Sequence, residues 1–164
     1  MSKIKIDYEI DILKPIGRYK DRAVININGI LTMFMNRELE HLLELPEEHY
    51  NLIKQWCVQR IEPYLTLKNY SYDCGSYGIK HIAEWELHNV EKWGNQLSYV
   101  CNADIKFILS ELGHNHSRKR FSDGLWYEPT YHEHMNYFYK LSTAFVKESN
   151  QIRSKQTESD LIFY

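Results

Sequence analysis

Asn28-Gly29 sits between two short apolar runs, Ala23–Ile27 and Ile30–Met35, and this dipeptide constrains the chain more than any other feature. A two-residue type I′ turn needs positive φ at both central positions, which asparagine and glycine tolerate and most residues do not. The two runs are therefore predicted to fold back on each other as a hairpin. Upstream, Ile4, Ile6, Tyr8, Ile10 and Ile12 alternate with Lys5, Asp7, Glu9 and Asp11. That period of two predicts a half-buried strand over residues 4–12. Pro15 and Gly17, within Lys14-Pro15-Ile16-Gly17, break it. A three-stranded meander follows, with one face that helices must cover.

Helical spacing takes over downstream. Arg37 to Leu45 is a predicted helix, and Pro46 suits the first position of the next, with Glu47 and Glu48 in its positive first turn. Leu52, Ile53, Trp56, Cys57 and Ile61 continue that helix to Pro63. Five glutamates and no Lys or Arg lie between Glu38 and Glu48, a pattern read as a solvated helix face rather than a nucleic-acid mimic. After Tyr70-Ser71-Tyr72-Asp73-Cys74-Gly75, a helix is predicted over Ile79–Trp93, with an apolar stripe of Ile79, Ile82, Ala83, Leu87, Val90 and Trp93. Gly94-Asn95 stops it. Asn102 is the predicted N-cap of a helix carrying Ile105, Phe107, Ile108, Leu109 and Leu112, closed by Gly113. A polar stretch with a turn at Ser122-Asp123-Gly124 comes next. A last helix is predicted from near Pro129 or Thr130, its core face formed by Tyr131, His134, Phe138, Leu141 and Phe145. Glu148 to Asp160 reads as frayed, and Leu161-Ile162-Phe163-Tyr164 as a docking end. The fold class is α+β: an N-terminal meander over residues 1–36 and a bundle of about five helices over residues 37–164, together one compact domain.

Composition narrows the function classes. A net charge of −2 argues against a protein that coats nucleic acid. The three cysteines, Cys57, Cys74 and Cys101, form no CxxC pair, so free thiols in a reducing compartment are expected rather than a disulfide framework. Neither an apolar leader nor a run of 18 apolar residues is present, which predicts a cytoplasmic protein with no membrane partner. Thirteen tyrosines and four tryptophans supply large side chains with a polar handle, suited to interfaces as well as cores.

Catalytic motifs fail on spacing. Cys74-Gly75-Ser76-Tyr77 puts tyrosine where a papain-type nucleophile belongs. Gly75-Ser76-Tyr77-Gly78 is not G-x-S-x-G, and Ser76 and Lys80 are not spaced as S-x-x-K. His81, Glu84 and His88 fall within about 60° of each other on one helix side, which makes them candidate metal ligands. His114 and His116 are a second candidate pair, in a loop. His132-Glu133-His134 lies in a predicted helix, where its imidazoles diverge. Asn115 completes the letters H-N-H without the hairpin a nuclease of that type needs. With no fourth ligand for any set, neither cofactor nor catalytic residue is assigned, and a non-enzymatic binding protein is expected. Its candidate contacts are Tyr70, Tyr72, Tyr77 and Trp85, together with Arg118, Lys119, Arg120 and Trp126 of the basic and aromatic loop 117–127. That loop also carries the alternative, a regulator that meets phosphate and stacks on bases.

Ser76-Tyr77-Gly78-Ile79-Lys80-His81, then Tyr99-Val100-Cys101-Asn102, then Ile105 to Gly113 resembles a pattern in small proteins of phages and mobile elements. There, S-Y-G-[IL]-K-H is followed by a helix, and Y-V-x-N opens another that ends in Leu-Gly. The resemblance spans Ser76 to Gly113 and leaves the N-terminal meander outside it. It implies a setting in a bacterial cell, and small acidic proteins of that setting resemble inhibitors of host defence, anti-CRISPR proteins among them. The partner so implied is a bacterial host protein or ribonucleoprotein.

Overall fold

The computed structural model describes residues 2–13, 22–94, 97, 99–117 and 136–162, with side chains as far as Gln156. Among these, three strands precede five α-helices: β1 (Ile10–Leu13), β2 (Arg22–Ile27), β3 (Ile30–Met35), α1 (Asn36–Leu43), α2 (Glu47–Trp56), α3 (Ser76–Asn89), α4 (Asn102–Glu111) and α5 (Ala144–Ile162). The fold is α+β, with an antiparallel sheet ordered β1-β2-β3.

The hairpin forms as its turn residues require. Asn28 and Gly29 take φ of 52° and 92°, and Ile27 pairs with Ile30 on either side of them. Ala23, Ile25, Ile27, Thr32 and Phe34 are fully buried on the face that α1 and α4 cover. The first strand is shorter than predicted. Ile10 pairs with Ile25, so the segment before Tyr8 overruns the hairpin end of β2 and has no strand to meet. It crosses instead to the α1–α2 junction, where Ile4 N–H donates to the Leu45 carbonyl and Glu47 N–H to that of Ser2. Ile4, Ile6 and Tyr8 still pack on the core while Lys5, Asp7 and Glu9 stay exposed. The alternation therefore set the buried face but not the pairing partner. The break at residues 14–17 lies outside the described residues.

α4 runs through the centre, buried at every residue from Ala103 to Ser110. Its two buried charges are met by α1: Lys106 Nζ lies 3.2 Å from Glu38 Oε1, and Asp104 Oδ1 lies 2.9 Å from His41 Nε2. Glu38 is thus removed from the solvated glutamate face, which retains Glu40, Glu44, Glu47 and Glu48 as exposed residues. Cys101, not Asn102, is the N-cap of α4, and its N–H donates to Asp104 Oδ2 at 2.8 Å. Beyond α2 the chain widens into a π turn, Cys57–Ile61, which turns Cys57, Arg60 and Ile61 inward.

The predicted last helix is corrected most. Residues 136–143 are not helical, and α5 begins at Ala144. Phe138, Leu141 and Phe145 are buried as the spacing suggested, but the first two are delivered by an extended segment. Its backbone groups find partners across the chain: Leu67 N–H donates to the Lys140 carbonyl, Ser71 N–H to that of Tyr139, Ser76 N–H to that of Tyr137, and Ser117 and Phe138 exchange both bonds. With these groups satisfied, a helix over the same residues gains nothing. The stretch read as frayed, Glu148 to Asp160, is helical within α5 and anchored by Glu148 and Ser149 to Arg60. Pro129, Thr130, Tyr131, His132-Glu133-His134 and the Ser122-Asp123-Gly124 turn, like Asn95, Phe163 and Tyr164, lie outside the described residues. No helix among the described residues is long and apolar enough to cross a membrane.

Candidate functional site

The stretch that opens α3 is held from a distance. Asn136 Oδ1 accepts hydrogen bonds from Ser76 Oγ–H and Tyr77 N–H, both at 3.0 Å, while Ser76 Oγ accepts from Tyr137 N–H at 3.1 Å. A capping carboxamide usually comes from the residue just before its helix. Here it is supplied by the extended segment, which local sequence could not announce. Gly75 leaves room for it: a Cβ there would stand 2.7 Å from Asn136 Oδ1 and 2.9 Å from the Phe138 ring. Gly75 is needed for this space rather than for an unusual backbone, since its φ of −95° suits any residue. Gly75→Ala is expected to cost about 1–3 kcal/mol, the usual penalty for overpacking. Urea denaturation of the variant measures it, and an unchanged midpoint would show that Asn136 does not occupy this position.

The tyrosines flanking the glycine divide into two groups. Tyr70 and Tyr72 turn to the extended segment, with Lys140 Nζ 5.3 Å from the Tyr70 ring and Phe138 edge-on to Tyr72 at 5.2 Å. Tyr77 stays on its own helix, edge-on to His81 at 4.5 Å, and is 52% exposed. Lys80 Nζ lies between Tyr77 and Tyr99, at 5.7 Å and 4.9 Å from their rings, and is fixed by Glu84 Oε1 at 2.6 Å. Tyr99 is 58% exposed, and its far edge meets the His41 ring at 6.0 Å. A ridge thus runs His81–Tyr77–Lys80–Tyr99–His41. Two large phenol rings stand in solvent while the cation between them is buried and held by Glu84.

Beyond Tyr99 the ridge drops into a cleft of about 230 Å³ between α1 and α2, lined in part by His41, Tyr99 and Asp104. The bond to Asp104 raises the His41 pKa above its ordinary 6.5. Cys101 does not complete a nucleophile there, because burial and the Asp104 carboxylate push its thiol up.

Trp85 takes no part in the ridge. It is half-buried, with the Arg153 guanidinium of α5 4.9 Å from its ring. The metal-ligand candidates are not assembled. His81 Nδ1 is 3.9 Å from Glu84 Oε2, but Glu84 already holds Lys80 and the Val100 N–H, and His88 stands exposed. His114 bonds Glu62 at 2.5 Å, whereas His116 turns inward to Thr32 Oγ1 at 3.1 Å. Among the described residues no three His, Cys, Asp or Glu side chains are placed to hold a metal ion. Arg118, Lys119, Arg120 and Trp126 lie outside the described residues. Tyr99 and His41 were missed as contacts by sequence reading; Tyr99 entered only as part of the Y-V-x-N pattern, and nothing local marks it as exposed. No protein family, curated protein or solved structure matches the chain.

Proposed function

We propose that this is a partner-binding protein of a phage or mobile element, a stoichiometric inhibitor of a bacterial defence system that works through protein–protein contacts. The observation that supports it is the ridge of Tyr77 and Tyr99 around the fixed Lys80. Tyrosine is enriched among residues that dominate binding energy, because a rigid ring brings large area at little entropic cost. Lys80 is buried between the two rings and held by Glu84, so the rings rest on an ordered base and a partner orders little on contact. The defence setting comes from the S-Y-G-I-K-H and Y-V-C-N resemblance, and two of its residues, Tyr77 and Tyr99, carry exposed rings.

Phage plaquing on a bacterial strain carrying an active CRISPR–Cas or restriction system tests the reading. Wild-type protein is expected to restore plaquing, and Tyr77→Ala/Tyr99→Ala to lose that effect while melting at the wild-type temperature. Truncating a central aromatic anchor costs about 2 kcal/mol or more, about thirtyfold in Kd. Defence left intact by the wild-type protein would overturn the inhibitor role, and full inhibition by the double variant would overturn the ridge.

A further inference from the structure

The cleft beside the ridge has a composition of its own. The apolar part of its floor is built from Leu45, Pro46, Ile53 and Leu97, the buried Asp104 carboxylate, held by His41, also lines it, and Tyr99 forms one wall. At about 230 Å³ it falls below the roughly 300–1,000 Å³ of small-molecule pockets. One large side chain fills such a volume; a cofactor does not. The rim is polar, with His41, Glu44 and His49. Glu40, Glu47 and Glu48, exposed, are the chain neighbours of the lining residues His41, Pro46 and His49. Lys3 offsets the charge of Glu44 and Ser2 Oγ–H donates to Glu47, so the negative field at the mouth comes from Glu40, Glu47 and Glu48.

On the partner-binding reading above, we infer that this cleft takes a single aromatic or large aliphatic side chain from a protein partner, presented by a segment with lysine or arginine beside it. The apolar floor removes the anchor from water, and Tyr99 adds an aromatic wall to it. The carboxylates outside select its flanking cations and speed the encounter. An anionic partner such as nucleic acid would meet like charge at the same mouth.

The full-length protein can be titrated with three blocked pentapeptides, Gly-Lys-Trp-Lys-Gly, Gly-Glu-Trp-Glu-Gly and Gly-Lys-Ala-Lys-Gly, with backbone amide NMR as the readout. The first is expected to shift the signals of His41, Glu44, Ile53 and Tyr99 and to bind at least about tenfold more tightly than either control, a difference of about 1.4 kcal/mol. Two variants that keep Tyr77 and Tyr99 confirm the location. His49→Trp fills the mouth and is expected to abolish the shifts. Glu44→Lys/Glu48→Lys is expected to reverse the preference between the lysine and glutamate peptides. Equal binding of all three peptides, shifts elsewhere on the surface, or no shift at millimolar peptide would overturn the inference, as would tighter binding of an oligothymidine at these signals. The plaquing result separates the two readings: if Tyr77→Ala/Tyr99→Ala loses inhibition while the peptides do not bind, the ridge stands and the cleft is not a docking site.

Discussion

Arg60→Met is expected to destabilise the protein by about 3–5 kcal/mol, the cost of leaving one member of a buried ion pair alone. Arg60 and Glu86 are buried against each other, with Arg60 Nε 2.7 Å from Glu86 Oε1 and Nη2 3.1 Å from Oε2. Trp56 Nε1–H also donates to Glu86, while Arg60 reaches Glu148 at 3.0 Å and Ser149 at 2.9 Å. One guanidinium therefore joins the π turn, α3 and α5. Without it, the Glu86 carboxylate keeps only the indole N–H, and α5 loses both of its polar anchors to Arg60. At about 2–4 °C per kcal/mol for a chain of this size, the melting temperature should fall by about 10 °C. Arg60→Met/Glu86→Gln, which removes both charges and keeps an acceptor for the Trp56 N–H, is expected to recover most of the loss. Urea denaturation of the two variants measures both effects. A single variant within about 1 kcal/mol of wild type would show that the network is not closed in solution, since surface ion pairs contribute no more than that.

Acid should find a second weak point at His116. Its ring is stacked on Tyr137 at a centroid distance of 3.7 Å and bonded to Thr32, which in turn shares a hydrogen bond with Ser110 at 2.7 Å. Burial, aided by the Lys106 cation, lowers the His116 pKa to about 4 from 6.5. Above pH 6.5 the ring is neutral in both folded and unfolded chains and imposes no pH dependence. As pH falls from 6.5 toward 4, the unfolded chain takes up a proton that the folded one refuses, and stability drops by about 1.4 kcal/mol per pH unit. The full loss across the window is about 3 kcal/mol, complete once pH passes below the folded value. Carboxylates titrate in the same range, so the quantity to measure is the difference in stability between wild type and His116→Gln. That difference should move against the wild type by about 3 kcal/mol between pH 6.5 and pH 4. A flat difference would mean that the ring is solvated.

What the sequence revealed and what it hid have separate physical origins. The Asn28-Gly29 turn and the alternation from Ile4 to Ile12 are local signals, because turn sterics and side-chain period act within a few residues. The stripe of α3 is legible for the same reason: Ile79, Ala83 and Leu87 recur at helical spacing and are fully buried. The segment carrying Phe138 and Leu141 misled because spacing registers burial, not conformation. Its conformation is set by backbone partners at Leu67, Ser71, Ser76 and Ser117. The ridge was half legible. Tyr77 could be named because it belongs to a concentration of tyrosines just ahead of the predicted helix, but the exposure of Tyr99 depends on how Lys80 of α3 and His41 of α1 are placed around it. Lys106 and Glu38 show the limit most clearly. Glu38 reads as part of a solvated face in sequence, and it is buried where it meets Lys106.

The distant cap of α3 bears on how the chain acquires its structure over time. Leu67, Ser71 and Ser76 bond to Lys140, Tyr139 and Tyr137, partners more than a third of the chain away. Closing such a loop costs entropy before any contact repays it, and long-range pairing slows folding. On the ribosome the chain up to Ser117 emerges with the N-terminus of α3 uncapped and the Gly75 niche empty, until synthesis has passed Leu141. The stretch that opens α3 is thus made well before the segment that orders it. A nascent chain stalled before residue 136 would present Ser76, Ile79 and the surrounding apolar surface to chaperones and proteases rather than to a partner.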